Sequence, residues 1–263
     1  NGSDEIIDLC FRIFCTPGTD KALTFSPSYG MYQVSASVND VKLIPVPLND
    51  SFQIDLKSVA PFLSDSKVKL ILICSPNNPT GNCMNRNTLE MIISGFSGIV
   101  LVDEAYIDFA EEPSLKESLD RYPNLIVMQT FSKAYGLASV RVGMAFAEPE
   151  IIRYFNKMKP PYNISTVNQK TILRRIGNRS YLNGQVRKIR SERERLAKEL
   201  KKLPFVKKVF PSDANFLLVK VKNSESTYDH LVENKIIVRN RSSVVNNCLR
   251  ITVGTKRENE KLL

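Results

Sequence analysis

What most restricts the fold of this 263-residue chain is a repeated alternation of two periodicities. Short apolar, β-branched runs recur along its first part: ALTF (22–25), VKLIPVPL (41–48), VKLILICS (68–75), GIVLVDEA (98–105), NLIVMQTF (124–131) and VGMAFA (142–147). Between most of them lie segments with helical spacing, SYGMYQVSASVN (28–39), DLKSVAPFLS (55–64) and NRNTLEMIISGF (85–96). Runs that are apolar throughout fit strands buried on both faces, and helices between them fit crossovers between parallel strands. The expected fold is therefore α/β, with a three-layer large domain built on a mostly parallel sheet. After about residue 160 the texture changes. PPYNIST (160–166) breaks the pattern and a long charged helix follows to Leu203. NFLLVKV (215–221), the helix TYDHLVEN (227–234), IIVRN (236–240) and CLRITVGT (248–255) then predict a smaller C-terminal α+β domain. The expected division is a large domain over 1–160 and a small one over 161–263.

Composition narrows the function classes. Hydrophobic residues make up 43% and charged residues 24%, the balance of a folded globular chain rather than a disordered one. No apolar run reaches the length of a membrane span, and NGSDEIIDL at the start has neither the basic region nor the apolar core of a secretory leader. Five scattered cysteines without a CxxC pair, together with a single histidine, argue against a zinc site and against a disulfide framework, and favour the cytoplasm. The net charge of +10 is concentrated in LRRIGNR (173–179) and RKIRSERERLAKELKK (187–202). In the second, Glu192, Glu194 and Glu199 alternate with the basic residues at helical separations, which reads as a solvated helix face rather than a nucleic-acid surface. His230 reads as a surface residue.

In a parallel α/β sheet the chemistry collects where the strands end. VKLILICS runs into SPNNPTG, which puts Asn77, Asn78 and Thr80 beyond one strand. GIVLVDEAY ends in Asp103, Glu104 and Tyr106, and NLIVMQTFSK in Thr130, Ser132 and Lys133. One rim thus carries amides, a carboxylate with a phenol, and an amine, a set suited to an aromatic phosphorylated ligand. Each signal has an ordinary alternative as a cap or turn residue. The combination and its order do not.

SPNNPTG, VDEAYIDF, TFSKAYGLASVRVG, NFLLVKV and CLRITVGT together resemble the pyridoxal-phosphate aminotransferases of fold type I. GSDE, PSYGMY and LRITVGT bring the resemblance to the histidinol-phosphate aminotransferases among them. The similarity runs from residue 2 almost to the end. It implies pyridoxal 5'-phosphate as cofactor, held as a Schiff base by Lys133, which also shuttles the proton. Asp103 is implied to pair with the pyridine nitrogen, Asn78 and Tyr106 to bond the phenolic oxygen, and Tyr29 to stack on the ring. Ser132, Arg141 and Thr130 supply a phosphate cradle, which the start of a helix at Gly2, Ser3, Asp4 and Glu5 completes. GSDE is also a plausible N-cap with acidic first-turn residues, and both roles can hold at once. Arg250 matches the position that grips the α-carboxylate, and Arg239 one near the substrate phosphate. Asn215 is placed to line the same pocket. On local sequence alone Arg239 has a solvent-facing strand end as its lesser alternative, and Asn215 is equally a turn residue.

The implied reaction moves an amino group between a phosphorylated amino-acid-like substrate and a 2-oxo acid, in a homodimer with no nucleic-acid or membrane partner. Aromatic amino acids as substrates and threonine-phosphate decarboxylation are alternatives within the fold. A non-catalytic cofactor-sensing regulatory module is the alternative of another class. Two departures stand out. Ser139 occupies a position where many such enzymes carry glycine. The segment that precedes GSDE in them, with its own cofactor and substrate contacts, has no counterpart in this sequence, so the chain reads as lacking that segment.

Overall fold

A computed structural model describes residues 1–263 and contains two sheets. The larger has six strands in the order β2-β1-β3-β4-β5-β6: β1 (Lys21–Ser26), β2 (Lys42–Pro47), β3 (Val68–Cys74), β4 (Ile99–Asp103), β5 (Leu125–Thr130) and β6 (Gly143–Ala147). β1 to β5 are parallel, and β6 closes one edge antiparallel to β5. Each coincides with an expected strand to within two residues at either end.

The strands alternate their side chains between two apolar layers, which is why both faces must be covered. Leu70, Leu72 and Cys74 of β3 join Leu101, Ile126 and Met128 beneath α1 (Ser3–Phe14), α2 (Met31–Val38) and α5 (Pro149–Met158), which contribute Ile7, Phe11, Tyr32, Ala36 and Phe155. Ile71 and Ile73 face the other way with Val100, Val102 and Val127. There they meet Val59 of α3 (Leu56–Leu63) and Leu89, Ile92 and Ile93 of α4 (Arg86–Gly95). Local chemistry sets the helix starts: the side chains of Asp55 and Asn85 accept the Lys57 and Thr88 amides and cap α3 and α4. α5 has no counterpart among the expected helices, because its strongly charged outer face masks the apolar stripe of Ile151 and Phe155.

The long charged helix is two helices, α6 (Thr166–Ile176) and α7 (Arg179–Leu200), broken at Gly177 and Asn178, where the Asn178 side chain caps α7. On α7, Glu192 pairs with Arg195 at 3.0 Å and Glu199 with Lys202 at 2.7 Å. The second sheet, in the order β7-β8-β10-β9, is antiparallel: β7 (Val206–Val209), β8 (Phe216–Val221), β9 (Arg239–Asn240) and β10 (Cys248–Thr252). IIVRN was expected to be a full strand, but only its last two residues pair. Lys235 just before it takes a positive φ of 61°, and Val238 drops into the core. β7, only four residues long with two consecutive lysines at its centre, and α9 (Lys256–Leu262), with only Asn259 buried, carry too little hydrophobic pattern to be read in advance. α8 (Ser224–Glu233) packs on this sheet, as do Leu196 and Leu200 of α7.

A bridging cluster ties the two sheets together. Ala105, Tyr106 and Phe109, beyond β4, pack with Ala134, Leu182, Ala214 and Phe216. Arg193, buried on α7, donates from Nη1 to the Ala214 carbonyl at 2.8 Å and the Phe109 carbonyl at 3.3 Å. All five cysteines are free, and no helix is long and apolar enough to cross a membrane.

Candidate active site

A cavity of about 250 Å³ opens where β3, β4 and β5 end. Its lining includes Ser3, Asp4, Tyr29, Asn78, Asp103, Tyr106, Thr130, Ser132, Lys133, Arg141 and Arg250. These residues come from seven separate parts of the chain, and the sheet order explains the meeting of those at the strand ends: β3, β4 and β5 are adjacent and parallel, so their carboxyl ends share one rim.

Asp103 is the last residue of β4 and is 3% exposed. Its Oδ1 accepts the Ala105 amide at 3.0 Å, and its Oδ2 accepts the Tyr32 hydroxyl at 2.9 Å. Burial raises its pKa to about 6, although both donors and the Lys133 ammonium oppose the rise. Lys133 stands at the mouth of the cavity with its Nζ 5.4 Å from the centre of the Tyr106 ring. Its side chain reaches open space at that mouth, but the walls remove water from the amine. That desolvation, followed by the Arg250 and Arg141 guanidiniums, lowers its pKa against the pull of Asp103 and Asp4. Tyr106 is buried edge-on against Phe216, with ring centres 5.1 Å apart, and burial raises its hydroxyl to about 12 against the counteracting Arg250.

The anion-binding end is assembled from two segments that approach backbone to backbone. Gly2 donates its amide to the Arg141 carbonyl at 2.8 Å and forms a parallel bridge with Val142. α1 begins there with no side-chain cap, so its first-turn amides keep no capping oxygen. The acidic residues of GSDE do other work. Asp4 accepts the Tyr29 hydroxyl at 3.0 Å and the Arg141 Nη2 at 3.2 Å, and Glu5 bonds the Asn1 amino group and the Asn163 amide. Nearby, the Thr130 hydroxyl donates to Ser132 Oγ at 3.0 Å and accepts the Ser132 amide at 3.1 Å. Arg141 itself adopts a left-handed backbone, φ 53°, at the end of a 3-10 turn over Ala138–Val140, and Ser139 in that turn is exposed.

From the smaller sheet, Arg250 of β10 reaches in and donates from Nη1 to Asn78 Oδ1 at 2.6 Å. Its guanidinium lies 5.0 Å from the centre of the Phe216 ring, and its buried Nε has no partner. An arginine with a buried, unsatisfied donor beside a cavity is built to receive an anion.

Three expected site residues are not brought in. The Glu5 side chain is taken up by Asn1 and Asn163. Arg239 is exposed opposite Arg250 across the β9–β10 ladder and does not line the cavity. Asn215 sits at the base of β8, where its carbonyl accepts the Val253 amide at 2.9 Å. Conversely, sequence reasoning passed over Cys74 and Ala138, which line the cavity, and Tyr32, which lies behind Asp103. Tyr32 falls on the apolar stripe of α2, where a sequence pattern shows only a core residue. The only signal was that a fully buried tyrosine needs a partner for its hydroxyl.

The chain matches the family model "Aminotransferase class I and II" over residues 1–263. It is 49% identical over 265 residues to the histidinol-phosphate aminotransferase of Cytophaga hutchinsonii, an alignment that covers all of this chain and 76% of the relative. The histidinol-phosphate aminotransferase structure from Clostridium acetobutylicum superposes with a TM-score of 0.90 at 26% identity, over 99% of this chain and 79% of that one. That from Sinorhizobium meliloti, in complex with pyridoxal-5'-phosphate, shares the fold with a TM-score of 0.86 at 23% identity, over 99% and 73%. With these likenesses joined to a fold and a cavity of this composition, the chain belongs to the class I and II aminotransferases, and within them to the histidinol-phosphate aminotransferase family.

Proposed function

We propose that the protein moves the amino group of L-histidinol phosphate to 2-oxoglutarate, with pyridoxal 5'-phosphate as the amino carrier. The observation that carries this reading is the convergence of Lys133, Asp103 and Arg250 on one cavity. The donor set fits the cofactor. Arg141, Ser132, Thr130 and the uncapped first turn of α1 suit a phosphate. Asp103 suits a protonated ring nitrogen, Asn78 and Tyr106 a phenolic oxygen, and the Tyr29 ring a flat aromatic face. When bound, the cofactor stores the amino group between half-reactions and takes up the electron pair left on the substrate carbon.

The residues of this chain do the rest. Lys133, whose pKa desolvation and the Arg250 guanidinium hold below the ordinary lysine range, removes the proton from the substrate carbon and returns it on the other side of the transfer. Asp103, held by two donors, keeps a negative charge opposite the ring nitrogen. Arg250 receives the α-carboxylate of the 2-oxo acid as a fork-shaped partner, and the phosphate of the other substrate approaches the same basic end, with Arg239 behind it. Residues 1–160 form the cofactor-holding part and 161–263 the part that brings Arg250 over it. A homodimer in the cytoplasm is the proposed working form, and the free cysteines accord with that compartment.

The high identity to a histidinol-phosphate enzyme favours this substrate over aromatic amino acids or threonine phosphate, and over a non-catalytic sensor. The test is a half-reaction panel on the holoprotein. L-histidinol phosphate should convert the bound cofactor from its aldehyde to its amine form, and phenylalanine should do so far more slowly. A response to phenylalanine without one to histidinol phosphate overturns the assignment. Borohydride reduction followed by peptide mapping should place the label on Lys133.

A further inference from the structure

Tyr32 lies on α2, 1% exposed, outside the cavity lining and behind Asp103. Its ring packs among the apolar residues of α1, α2 and the central strands and meets the Tyr29 ring edge-on, with centres 5.7 Å apart. A phenylalanine would serve that packing equally well. What tyrosine adds is a hydroxyl, and it donates to Asp103 Oδ2 at 2.9 Å across 71 residues of sequence. The Ala105 amide donates to the other oxygen at 3.0 Å, so each carboxylate oxygen is fixed by one donor from within the protein. A buried carboxylate without such donors tends to protonate and to lose its orientation.

The groups around Asp103 are few. Cys74 lies at the end of β3, Asp4 on α1, Tyr29 before α2, and Lys133 and Tyr106 beyond β5 and β4. Lys133 favours the charged carboxylate, and its amine is engaged in chemistry. Asp4 opposes that charge. The two donors on the carboxylate are therefore the fixed supports of its ionised form.

We propose that Tyr32 is a positioning residue for the reaction, its hydroxyl holding Asp103 ionised and oriented toward the cavity for the ring nitrogen of the cofactor. This rests on the cofactor reading above, but its main test does not.

In cofactor-free protein carrying 13C-labelled aspartate, the Asp103 carboxyl is identified by its loss in Asp103→Asn and titrated by NMR. Tyr32→Phe should move its midpoint upward by about one pH unit, because a donor to the charged form has gone. In the holoprotein the same variant should lower kcat about tenfold with KM for the amino donor within twofold, and weaken cofactor affinity about tenfold. A structural role alone would lower the unfolding temperature and leave the Asp103 midpoint where it is, and that result overturns the proposal. Should Tyr32→Phe fail to fold, Tyr32→3-fluorotyrosine keeps the ring and makes the hydroxyl a stronger donor. The midpoint should then fall by a few tenths of a pH unit, and a rise or no movement overturns the proposal. If the wild-type protein bound no cofactor, the cofactor reading would fail while the titration still decided the role of Tyr32.

Discussion

Arg250 on the smaller sheet donates to Asn78 at the rim of the larger one, Nη1 to Oδ1 at 2.6 Å, and this bond crosses between the two sheets inside the cavity itself. The bond fixes one edge of the guanidinium, while the Nε remains buried without a partner. A carboxylate arriving there meets a donor fork already aimed, so little ordering entropy is lost on binding. Arg250→Lys preserves the charge and removes the fork. It should raise KM for the 2-oxo acid about 30-fold with a smaller effect on kcat, the loss of one charge-assisted pair. Steady-state kinetics with the 2-oxo acid as varied substrate measures this, and an unchanged KM would exclude Arg250 from carboxylate binding.

Asp103 gives the cofactor-free protein a pH dependence whose sign is fixed by its environment. Its pKa is raised from 3.8 to about 6 by burial, so between those values the folded state holds more protons than the unfolded one. Stability from this group is therefore greatest below about pH 4 and declines as pH rises to about 6, by about 3 kcal/mol in all, and is flat above. Glu104 and Asp108, also raised by burial, add slopes of the same sign, so the contribution of Asp103 is isolated by difference. Urea unfolding of wild type and Asp103→Asn from pH 4 to 8 should show the asparagine variant gaining relative stability up to pH 6. Parallel curves would mean that Asp103 ionises freely.

How far the sequence foretold this site depends on the range of the interaction. The six strands of the larger sheet were legible because burial on both faces leaves an unbroken apolar run, and the rim residues followed from where those runs end. Lys133, Asp103 and Asn78 reach one cavity for that reason, and Arg250 joins them from β10 of the smaller sheet. What stayed illegible was decided by partners distant in the chain. The hydroxyl of Tyr32 finds Asp103 71 residues away, and the carboxylate of Asp4 turns to Arg141, 137 residues away, instead of capping its own helix. Arg193 shows the same limit. In a helix of alternating charge it looked like any solvated arginine, and its burial follows only from how α7 lies across the bridging cluster.

The approach of β6 to the start of α1 makes Gly143 a sensitive position. A Cβ placed there would lie 2.6 Å from the Ser3 amide nitrogen and 2.8 Å from the Gly2 carbonyl carbon, both backbone atoms that cannot swing aside. Gly143→Ala must push the first turn of α1 away from Arg141, and that turn is one wall of the anion-binding end. The variant should lose about 1–3 kcal/mol of stability and bind cofactor at least tenfold more weakly. Thermal unfolding with and without cofactor separates the two effects. Gly136→Ala serves as a control, since nothing lies within 4 Å of its Cβ position although its φ is 68°. It should cost stability through backbone strain and leave the anion-binding end in place.

Arg193 offers a test of what holds the two sheets together. Its Nη1 serves the carbonyls of Ala214 and Phe109, one from the loop before β8 and one from the turn beyond Tyr106, and it does so from a position 8% exposed. Burial lowers the guanidinium pKa against the attraction of Asp213, yet the group stays charged throughout the physiological range. Removing it leaves two carbonyls near the bridging cluster without this donor. Arg193→Met keeps much of the apolar stem and should destabilise the fold by about 2–4 kcal/mol. Because Tyr106 and Phe109 share the affected turn, kcat should fall as well, by about three- to tenfold, while cofactor affinity, set at the far end of the cavity, changes less than threefold. Urea unfolding combined with cofactor titration checks both. A variant as stable as wild type would show that the apolar cluster alone joins the sheets.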